Sequence, residues 1–246
     1  MQTDYKTIKK QFEKSMPDYD KNAVVQSFTA EEMLSQLAKL TPYYENILEL
    51  GAGTGLLTKK LAKELKFEHY YGNDLVEKSK NYVKKYIPQS DFICGNALKI
   101  KLPQKMDLVI SNAMFQWFGD LEKGIDVISG YLANDGILAF STFTPENFRQ
   151  VREITGLALN YKTKEEIETI LNKLGFEILF CKNYDREMKF NNALEILAHM
   201  KKTGVNSLSE KTWSMKKIKD FCEKYAQIYP DYTLTYSPLI VIAKRK

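Results

Sequence analysis

Three glycines at alternate positions mark the stretch of the chain whose chemistry is easiest to interpret. Gly51, Gly53 and Gly55 follow a short apolar run, and leucines recur after them at helical spacing. This order predicts a buried strand, a tight turn and a helix. Glycines allow a ligand to approach main-chain N–H groups closely, and the N-terminus of the following helix favours negative charge. We therefore expect this turn to hold a ligand.

The spacing of the glycines indicates which ligand that is. A dinucleotide-binding loop would carry its third glycine at position 56, where this chain has Leu56. The pattern Glu-x-Gly-x-Gly-x-Gly, which begins at Glu49, instead resembles the first motif of the class I S-adenosylmethionine (SAM) methyltransferases. The resemblance implies that SAM is the cofactor, with its methionine end over this loop. The loop residues that it implies as contacts are Glu49, Gly51, Ala52, Gly53 and Gly55.

Asp74 is the second signal, because it ends the next apolar segment. It lies about as far downstream as the ribose-binding acid of nucleotide-binding folds, and a carboxylate can accept hydrogen bonds from both ribose hydroxyls. Asn96 stands where many methyltransferases carry an aspartate that accepts from the adenine amino group. Its carbonyl oxygen can do the same, although a role as a polar cap of the strand is equally open. The remaining cofactor-binding residues that we predict are Leu75, Ala97 and Ser111.

Apolar and amphipathic segments alternate between residues 47 and 143. Such alternation predicts a parallel sheet with helices on both faces. Right-handed crossovers place the carboxyl ends of the strands at one edge, where open α/β folds bind their ligands. We therefore expect Glu49, Asp74, Asn96 and Ser111 to converge at that edge. The predicted strands are 47–51, 69–74, 91–95, 107–112 and 137–143, and the predicted helices are 54–66, 77–86 and 121–132.

Further segments flank this core. Two helices are predicted in the first forty residues, separated by a break at Pro17 and Asp18. After a helix at 164–174 come a long strand over 176–190, a helical block from residue 192 and a last strand over 232–243, and the two late strands predict an antiparallel hairpin. The predicted organisation is an N-terminal helical cap at 1–45, a core at 46–190, a helical lid insertion at 191–230 and a final core strand at 231–246.

The composition of the 246 residues sets the class of protein. The chain is 44% hydrophobic and 27% charged with a net charge of +5, which is ordinary for a globular protein. No apolar run is long enough for a membrane span, and no signal peptide is visible. The three cysteines are scattered, which indicates a cytoplasmic location without disulfides. Neither of the two histidines has a metal-ligand spacing, so no metal is predicted.

Four segments carry a closer resemblance, and one of them is the opening segment from Phe12 to Tyr19. Ser111-Asn-Ala-Met-Phe-Gln-Trp117, Leu-x-x-Met-Lys-x-Thr-Gly204 and Tyr-x-Leu-Thr-Tyr236 resemble the malonyl-acyl carrier protein O-methyltransferases of biotin synthesis. The resemblance implies a Rossmann-like α/β fold, with a seven-stranded, mostly parallel sheet, an antiparallel last strand and helical lid additions. It implies transfer of a methyl group from SAM to the free carboxylate of a malonyl thioester. The implied partner is the acidic malonyl-acyl carrier protein. A monomeric enzyme is implied, with neither a nucleic acid nor a membrane as a further partner.

The implied chemistry needs positioning more than proton transfer. A carboxylate has a reference pKa near 4, so it is ionised at pH 7 and needs no general base. Arginine suits a bidentate grip on it, and Arg149 is the first candidate, with Arg152 as a rival. By their positions in the chain, Tyr19, Trp117 and Lys201 are predicted as lid neighbours of Arg149. Lys201 also belongs to a group of basic residues in the insertion that suits an acidic carrier: Lys201, Lys202, Lys211, Lys216, Lys217 and Lys219.

Two other classes stay open on the sequence. One is a SAM methyltransferase for another small acid or a quinone-type substrate, which would share everything up to residue 143. The other is an RNA-directed methyltransferase or a SAM-binding regulatory module. The net positive charge is compatible with RNA, although no recognised RNA-binding module is present in the sequence.

Overall fold

A computed structural model of the protein describes residues 5–203 and 213–246. Seven strands form its central sheet: β1 (Tyr43–Leu50), β2 (Lys66–Asp74), β3 (Asp91–Cys94), β4 (Met106–Ser111), β5 (Leu132–Phe143), β6 (Phe176–Asn183) and β9 (Pro238–Arg245). Their order is β3-β2-β1-β4-β5-β9-β6. The first five strands pair in parallel, and β9 is antiparallel to both of its neighbours. The predicted sheet, with its antiparallel last strand, is confirmed.

Nine helices surround the sheet in the described part of the chain. The cap helices are α1 (Tyr5–Asn22) and α2 (Val24–Leu40), and the core helices are α3 (Leu56–Glu64), α4 (Ser79–Tyr86), α5 (Leu121–Ser129), α6 (Arg149–Thr155) and α7 (Lys164–Lys173). The late insertion contributes α8 (Ala193–Lys202) and α9 (Met215–Ile228). None of these helices combines the length and the apolar character that crossing a bilayer requires.

Both faces of the sheet are covered, which explains why its central strands are apolar at successive positions. Adjacent strand residues point to opposite faces, so Ile47 and Leu48 enter different cores. Leu48 packs in the core that includes Ile125 of α5 and Ile167 of α7. Ile47 packs in the core that includes Leu37 of α2. The packing therefore fixes the strand register, and with it the positions of the strand ends.

A second, two-stranded sheet lies outside the main one. It pairs β7 (Arg186–Lys189) antiparallel to β8 (Thr233–Tyr236). The two long strands predicted at 176–190 and 232–243 are therefore each split, and the prediction of a single strand in each place was wrong. The second split falls at Ser237, whose N–H donates to Asn147 (3.2 Å) and whose hydroxyl accepts from Thr144 (2.8 Å). Ser237 therefore belongs neither to β8 of the small sheet nor to β9 of the main sheet.

The predicted helix break at Pro17 was also wrong. Helix α1 runs through Pro17 to Asn22, and α2 begins at Val24. A proline inside a helix costs about 3 kcal/mol through the lost hydrogen bond and the ring clash. Contacts on both sides hold the helix together, because Met16 is buried and the rings of Phe12 and Tyr19 meet edge to face at 5.2 Å. The sequence alone does not reveal such tertiary support.

Candidate active site

A cavity lies at the carboxyl ends of β1 to β5, with an empty volume of about 1340 Å³ that includes space open to solvent. The glycine loop after β1 forms one wall, and α1 lies across it with Phe12 and Tyr19 facing the cavity. The 3-10 turn Phe115–Trp117 contributes Trp117 to the lining. The structure thus brings together these sequence-predicted residues: Tyr19, Glu49, Gly51, Ala52, Gly53, Asp74, Leu75, Asn96, Ala97 and Trp117.

The glycine loop uses backbone conformations that other residues rarely adopt. Gly51, Gly53 and Gly55 have φ values of 72°, 57° and 74°. A Cβ on Gly51 would lie 2.8 Å from Met114, and one on Gly53 would lie 2.9 Å from Phe12. The first two positions therefore need glycine for space as well as for conformation. Gly55 caps α3 behind the loop and does not line the cavity.

Asp74 ties the loop to the end of β2. Its Oδ2 accepts from the Gly53 N–H (2.8 Å), and its Oδ1 accepts from the Val76 N–H (2.7 Å). Burial raises the pKa of Asp74, while these two N–H groups act in the opposite direction. The Ser79 side chain and the Leu75 N–H lower the pKa of Asp74 as well. The carboxylate lines the cavity, where its oxygens can accept hydroxyl donors from a ligand.

Glu49 is a second buried acid at the same edge, and only 1% of it is exposed. Its Oε2 accepts from the hydroxyl of Thr58 (2.8 Å) and from the hydroxyl of Tyr70. Burial raises the pKa of Glu49 to about 7, although these two hydrogen bonds oppose the shift. A cationic group of a ligand in the cavity would favour the ionised form.

Asn96 and Ser111 make contacts of their own. The Oδ1 of Asn96 accepts from the Leu98 N–H (2.9 Å), which is the capping role left open by the sequence. Asn96 also lines the cavity, and its contact with a ligand there stays a prediction. Ser111 is fully buried and donates to the carbonyl of Leu50 (2.8 Å). It holds β4 against β1 and does not line the cavity.

The predicted basic residues lie elsewhere. Arg149 is 3.6 Å from Glu187, and Arg152 is 3.4 Å from Glu146, both on the outer side of the fold and outside the cavity lining. Lys201 is exposed on α8 and does not line the cavity either. Among the described lining residues, Lys9 of α1 is the only lysine or arginine. The structure therefore does not bring Arg149, Arg152 or Lys201 into the cavity, where the sequence predicted that they would lie around the acceptor carboxylate.

Comparison with known proteins identifies the family. Residues 48–140 match a family model described as a methyltransferase domain. The malonyl-[acyl-carrier protein] O-methyltransferase of Haemophilus influenzae is 33% identical to this chain, over 98% of the chain and 95% of its own length. The enzyme of that name from Calditerrivibrio nitroreducens is 34% identical, over 98% and 97%. The chain belongs to the malonyl-[acyl-carrier protein] O-methyltransferase family.

Solved structures agree on the fold of this family member. The N-methyltransferase NodS from Bradyrhizobium japonicum, in complex with S-adenosyl-L-homocysteine (SAH), superposes with a TM-score of 0.60 at 14% identity, over 97% of this chain and 98% of its own. The YcgJ protein from Bacillus subtilis superposes with a TM-score of 0.62 at 12% identity, over 88% of this chain and 99% of its own. The predicted fold class and the predicted assignment as a SAM-dependent methyltransferase are confirmed.

The cavity of this methyltransferase suits the parts of SAM. Asp74 offers a carboxylate for a ribose diol, and Glu49 offers a carboxylate for an ammonium group. The space above Gly51 and Gly53 would be filled by any Cβ. Among the described residues, no group of three histidines, cysteines or acids could hold a metal ion. The residues present therefore fit an organic cofactor of this shape.

Sequence reasoning missed residues on the far side of the cavity. Tyr161, Tyr236 and Asn147 line it, and so does Phe12 of the cap. Tyr236 stood in one of the segments that carried the family resemblance, without a role assigned to it. Tyr161 lies between α6 and α7 in a segment without regular structure, where periodicity gives no signal.

Proposed function

We propose that the protein transfers a methyl group from SAM to the free carboxylate of a malonyl thioester on acyl carrier protein. The observation that carries the proposal is the match to the malonyl-[acyl-carrier protein] O-methyltransferases over 98% of the chain. That match includes the cap and the late insertion, which lie outside the general methyltransferase domain at 48–140. The resulting ester masks a charge, so the thioester can be handled as an apolar acyl chain early in biotin synthesis.

Particular residues would hold the cofactor. Asp74 would accept from the ribose hydroxyls, and Glu49 would face the ammonium end over the glycine loop. Asn96, Ala97 and Leu75 would border the adenine. When bound, SAM supplies a methyl carbon on a positively charged sulfur. The remaining task of the chain is to orient the acceptor and to exclude water from it.

The acceptor reacts without a proton transfer. Its carboxylate oxygen forms a C–O bond to the methyl carbon while the C–S bond breaks, and that electron pair stays on sulfur. The described cavity lining contains no histidine, and this chemistry requires none. The apolar side chains of Met114, Trp117 and Phe143 line the cavity and lower its polarity. Polar contacts to the carboxylate are stronger in such surroundings.

The carrier protein would meet the outer face of the late insertion. Exposed lysines of α8 and α9 provide a basic surface, formed by Lys201, Lys202, Lys216, Lys217 and Lys219. Lys211, which the sequence placed in the same group, lies outside the described residues. Complementary charges of this kind mainly accelerate association. We expect the enzyme to act as a monomer in the cytoplasm.

The direct test is incubation of the protein with isotopically labelled SAM and malonyl-carrier protein, followed by mass analysis of the carrier. We expect one labelled methyl group on the malonyl carboxylate. Acetyl-carrier protein is the matched control, because it lacks the free carboxylate and should remain unlabelled. Labelling of a free small acid or a quinone, with none of malonyl-carrier protein, would refute the proposal in favour of another small-molecule methyltransferase.

A further inference from the structure

The wall of the cavity opposite the glycine loop is aromatic and carries two phenol hydroxyls. Tyr161 and Tyr236 both line it, beside Phe143 and Phe148. Ring centroids are 4.7 Å apart for Phe148 and Tyr236, and 6.3 Å apart for Phe143 and Tyr161. This wall lies beyond the ends of β4 and β5, whereas Glu49 and Asp74 lie at the carboxyl ends of β1 and β2. It therefore borders the part of the cavity left for the acceptor.

The hydrogen-bond pattern around Asn147 leaves the proton of Tyr161 unused. Asn147 Oδ1 accepts from the Ser237 N–H (3.2 Å), which fixes the orientation of the amide. Its Nδ2 consequently faces Tyr161 and donates to the phenol oxygen (3.2 Å). A phenol that accepts through its oxygen still has its O–H to donate. Tyr161 thus presents a positioned donor to the cavity.

Tyr236 has a corresponding partner on α8. Its hydroxyl is 2.7 Å from Nε2 of His199, in buried surroundings that include Phe190. Burial, with a smaller effect of the Lys202 charge, lowers the pKa of His199 to about 4. The imidazole is therefore neutral at pH 7, and it can carry its proton on Nε2. In that tautomer it donates to the Tyr236 oxygen and leaves the phenol proton to be donated, either to Thr203 beside it or to a ligand in the cavity.

We propose that the hydroxyls of Tyr161 and Tyr236 hold the malonyl carboxylate as neutral donors, with Asn147 and His199 as the residues that position them. The proposal rests on the proposed function, since it concerns the acceptor of that reaction. It assigns to two tyrosines the role that the sequence suggested for Arg149. Two further phenols in the lining, those of Tyr5 and Tyr19, belong to α1 on the side of the cap.

Electrostatics favour neutral donors over a cation at this place. The methyl donor is itself positively charged, so a guanidinium beside the carboxylate would repel it and compete for the same negative charge. A phenol holds the carboxylate by a charge-assisted hydrogen bond and adds no net charge. Burial raises the pKa values of Tyr161 and Tyr236. Both hydroxyls therefore keep their protons throughout the neutral range.

The first experiment compares three tyrosine-to-phenylalanine variants. Tyr161→Phe and Tyr236→Phe remove the proposed donors, and Tyr225→Phe is the control. Tyr225 is as buried as Tyr236, lies in the same apolar cluster and donates its hydroxyl to the carbonyl of Thr233. It does not line the cavity. The control therefore reproduces the loss of a buried hydroxyl without touching the acceptor.

We expect kcat/KM for malonyl-carrier protein to fall about ten- to a hundredfold in each cavity variant, as for loss of a hydrogen bond to a charged group. Calorimetric affinity for SAH should stay at the wild-type value, because neither hydroxyl lies on the cofactor side. The Tyr225→Phe control should lose stability but keep its kcat/KM. Wild-type kcat/KM in both cavity variants would overturn the inference.

The positioning role of His199 has a spectroscopic test. The chain has only two histidines, so ¹⁵N spectra of histidine-labelled protein contain the ring signals of His199 and those of His69. His69 is exposed on β2, and its signals serve as the reference. With SAH and malonyl-carrier protein bound, we expect Nε2 of His199 to appear protonated, and Tyr236→Phe to abolish that response. His199→Gln should recover part of the kcat/KM that His199→Leu loses. No response of His199 and wild-type activity of His199→Leu would together refute its role.

Failure of the inference differs from failure of the proposed function. If the wild-type protein methylates no malonyl thioester, the proposed function fails. If it does, and Arg149→Ala is crippled while both cavity tyrosine variants are fully active, only the inference fails. The two results are read from the same assay with different proteins.

Discussion

Glu49 is the buried carboxylate whose protonation we expect to influence both the stability of the protein and its affinity for the cofactor. Its pKa is raised from 4.5 to about 7, chiefly by burial. Between these two values the folded protein holds a proton that the unfolded chain has released. The stabilisation from Glu49 is therefore complete below pH 4.5 and is lost as the pH rises through 7. The informative perturbation is Glu49→Gln, which is neutral at every pH.

The size of the effect follows from the two pKa values. Between pH 5 and pH 8, the free energy of unfolding of the wild type should fall relative to Glu49→Gln by about 2.5 kcal/mol, because each pH unit between the folded and unfolded pKa values contributes about 1.36 kcal/mol. Urea unfolding of both proteins without cofactor, at several pH values in that range, measures the difference directly. Parallel pH dependences in the two proteins would refute the raised pKa and the reasoning based on it.

The same carboxylate should release a proton when the cofactor binds. An ammonium group beside Glu49 would favour its ionised form. At pH 6.5 a group with a pKa of about 7 is mostly protonated, so binding of SAH should release up to about three quarters of a proton. Calorimetry in two buffers of different ionisation enthalpy counts that proton, and Glu49→Gln should show none. Equal proton release by the two proteins would place the ammonium group elsewhere.

Two further predictions concern the loop and the carrier. Gly53→Ala should abolish SAM binding in calorimetry, since its Cβ would meet Phe12 at 2.9 Å and fill the ligand space. Gly175→Ala is the control: Gly175 has a similar positive φ, but a Cβ there would have no neighbour within 4 Å, so this variant should bind SAM normally. Unchanged affinity in Gly53→Ala would contradict the cofactor site. The double variant Lys201→Glu, Lys202→Glu should raise KM for malonyl-carrier protein severalfold and leave KM for malonyl-coenzyme A nearly unchanged, with the difference shrinking at high salt. Equal effects on both substrates would argue against docking at α8.

The features that sequence reasoning predicted correctly are those that local pattern determines. The glycine loop, the acid at the end of β2 and the alternation of strands and helices each depend on neighbours in the chain, and they appear in the structure at the predicted places. Boundaries were less accurate, since β5 begins at Leu132 and was predicted to begin at 137. Such positions depend on pairing with β4 at Met106, which no local pattern shows.

The prediction of Arg149 shows that the place of a residue in the chain does not determine the direction in which its side chain points. Arg149 does follow the end of β5 at the expected edge of the sheet. However, Phe148 before it adopts a left-handed conformation (φ 56°) and is itself buried in the cavity wall. The next residue starts α6 and faces Glu187 of the small sheet. Sequence spacing predicts the edge of the sheet at which a residue lies. A backbone torsion next to that residue determines whether its side chain points into the cavity or away from it.

The split strands explain how the aromatic wall of the cavity, with Tyr161 and Tyr236, is assembled. Tyr236 reaches the cavity because β8 leaves the main sheet at Ser237 and pairs with β7 instead. The same residue, Ser237, orients Asn147 and through it Tyr161. A single uninterrupted strand over 232–243 would keep Tyr236 in the ladder of the main sheet and would remove the N–H donor to the Asn147 amide oxygen. The interruption at Ser237 therefore couples both phenols to one backbone position. The variant Ser237→Pro removes the N–H that orients Asn147, so we expect it to lower activity on the malonyl acceptor. Its affinity for SAH, measured by calorimetry, should be unchanged, because Glu49 and Asp74 lie on β1 and β2.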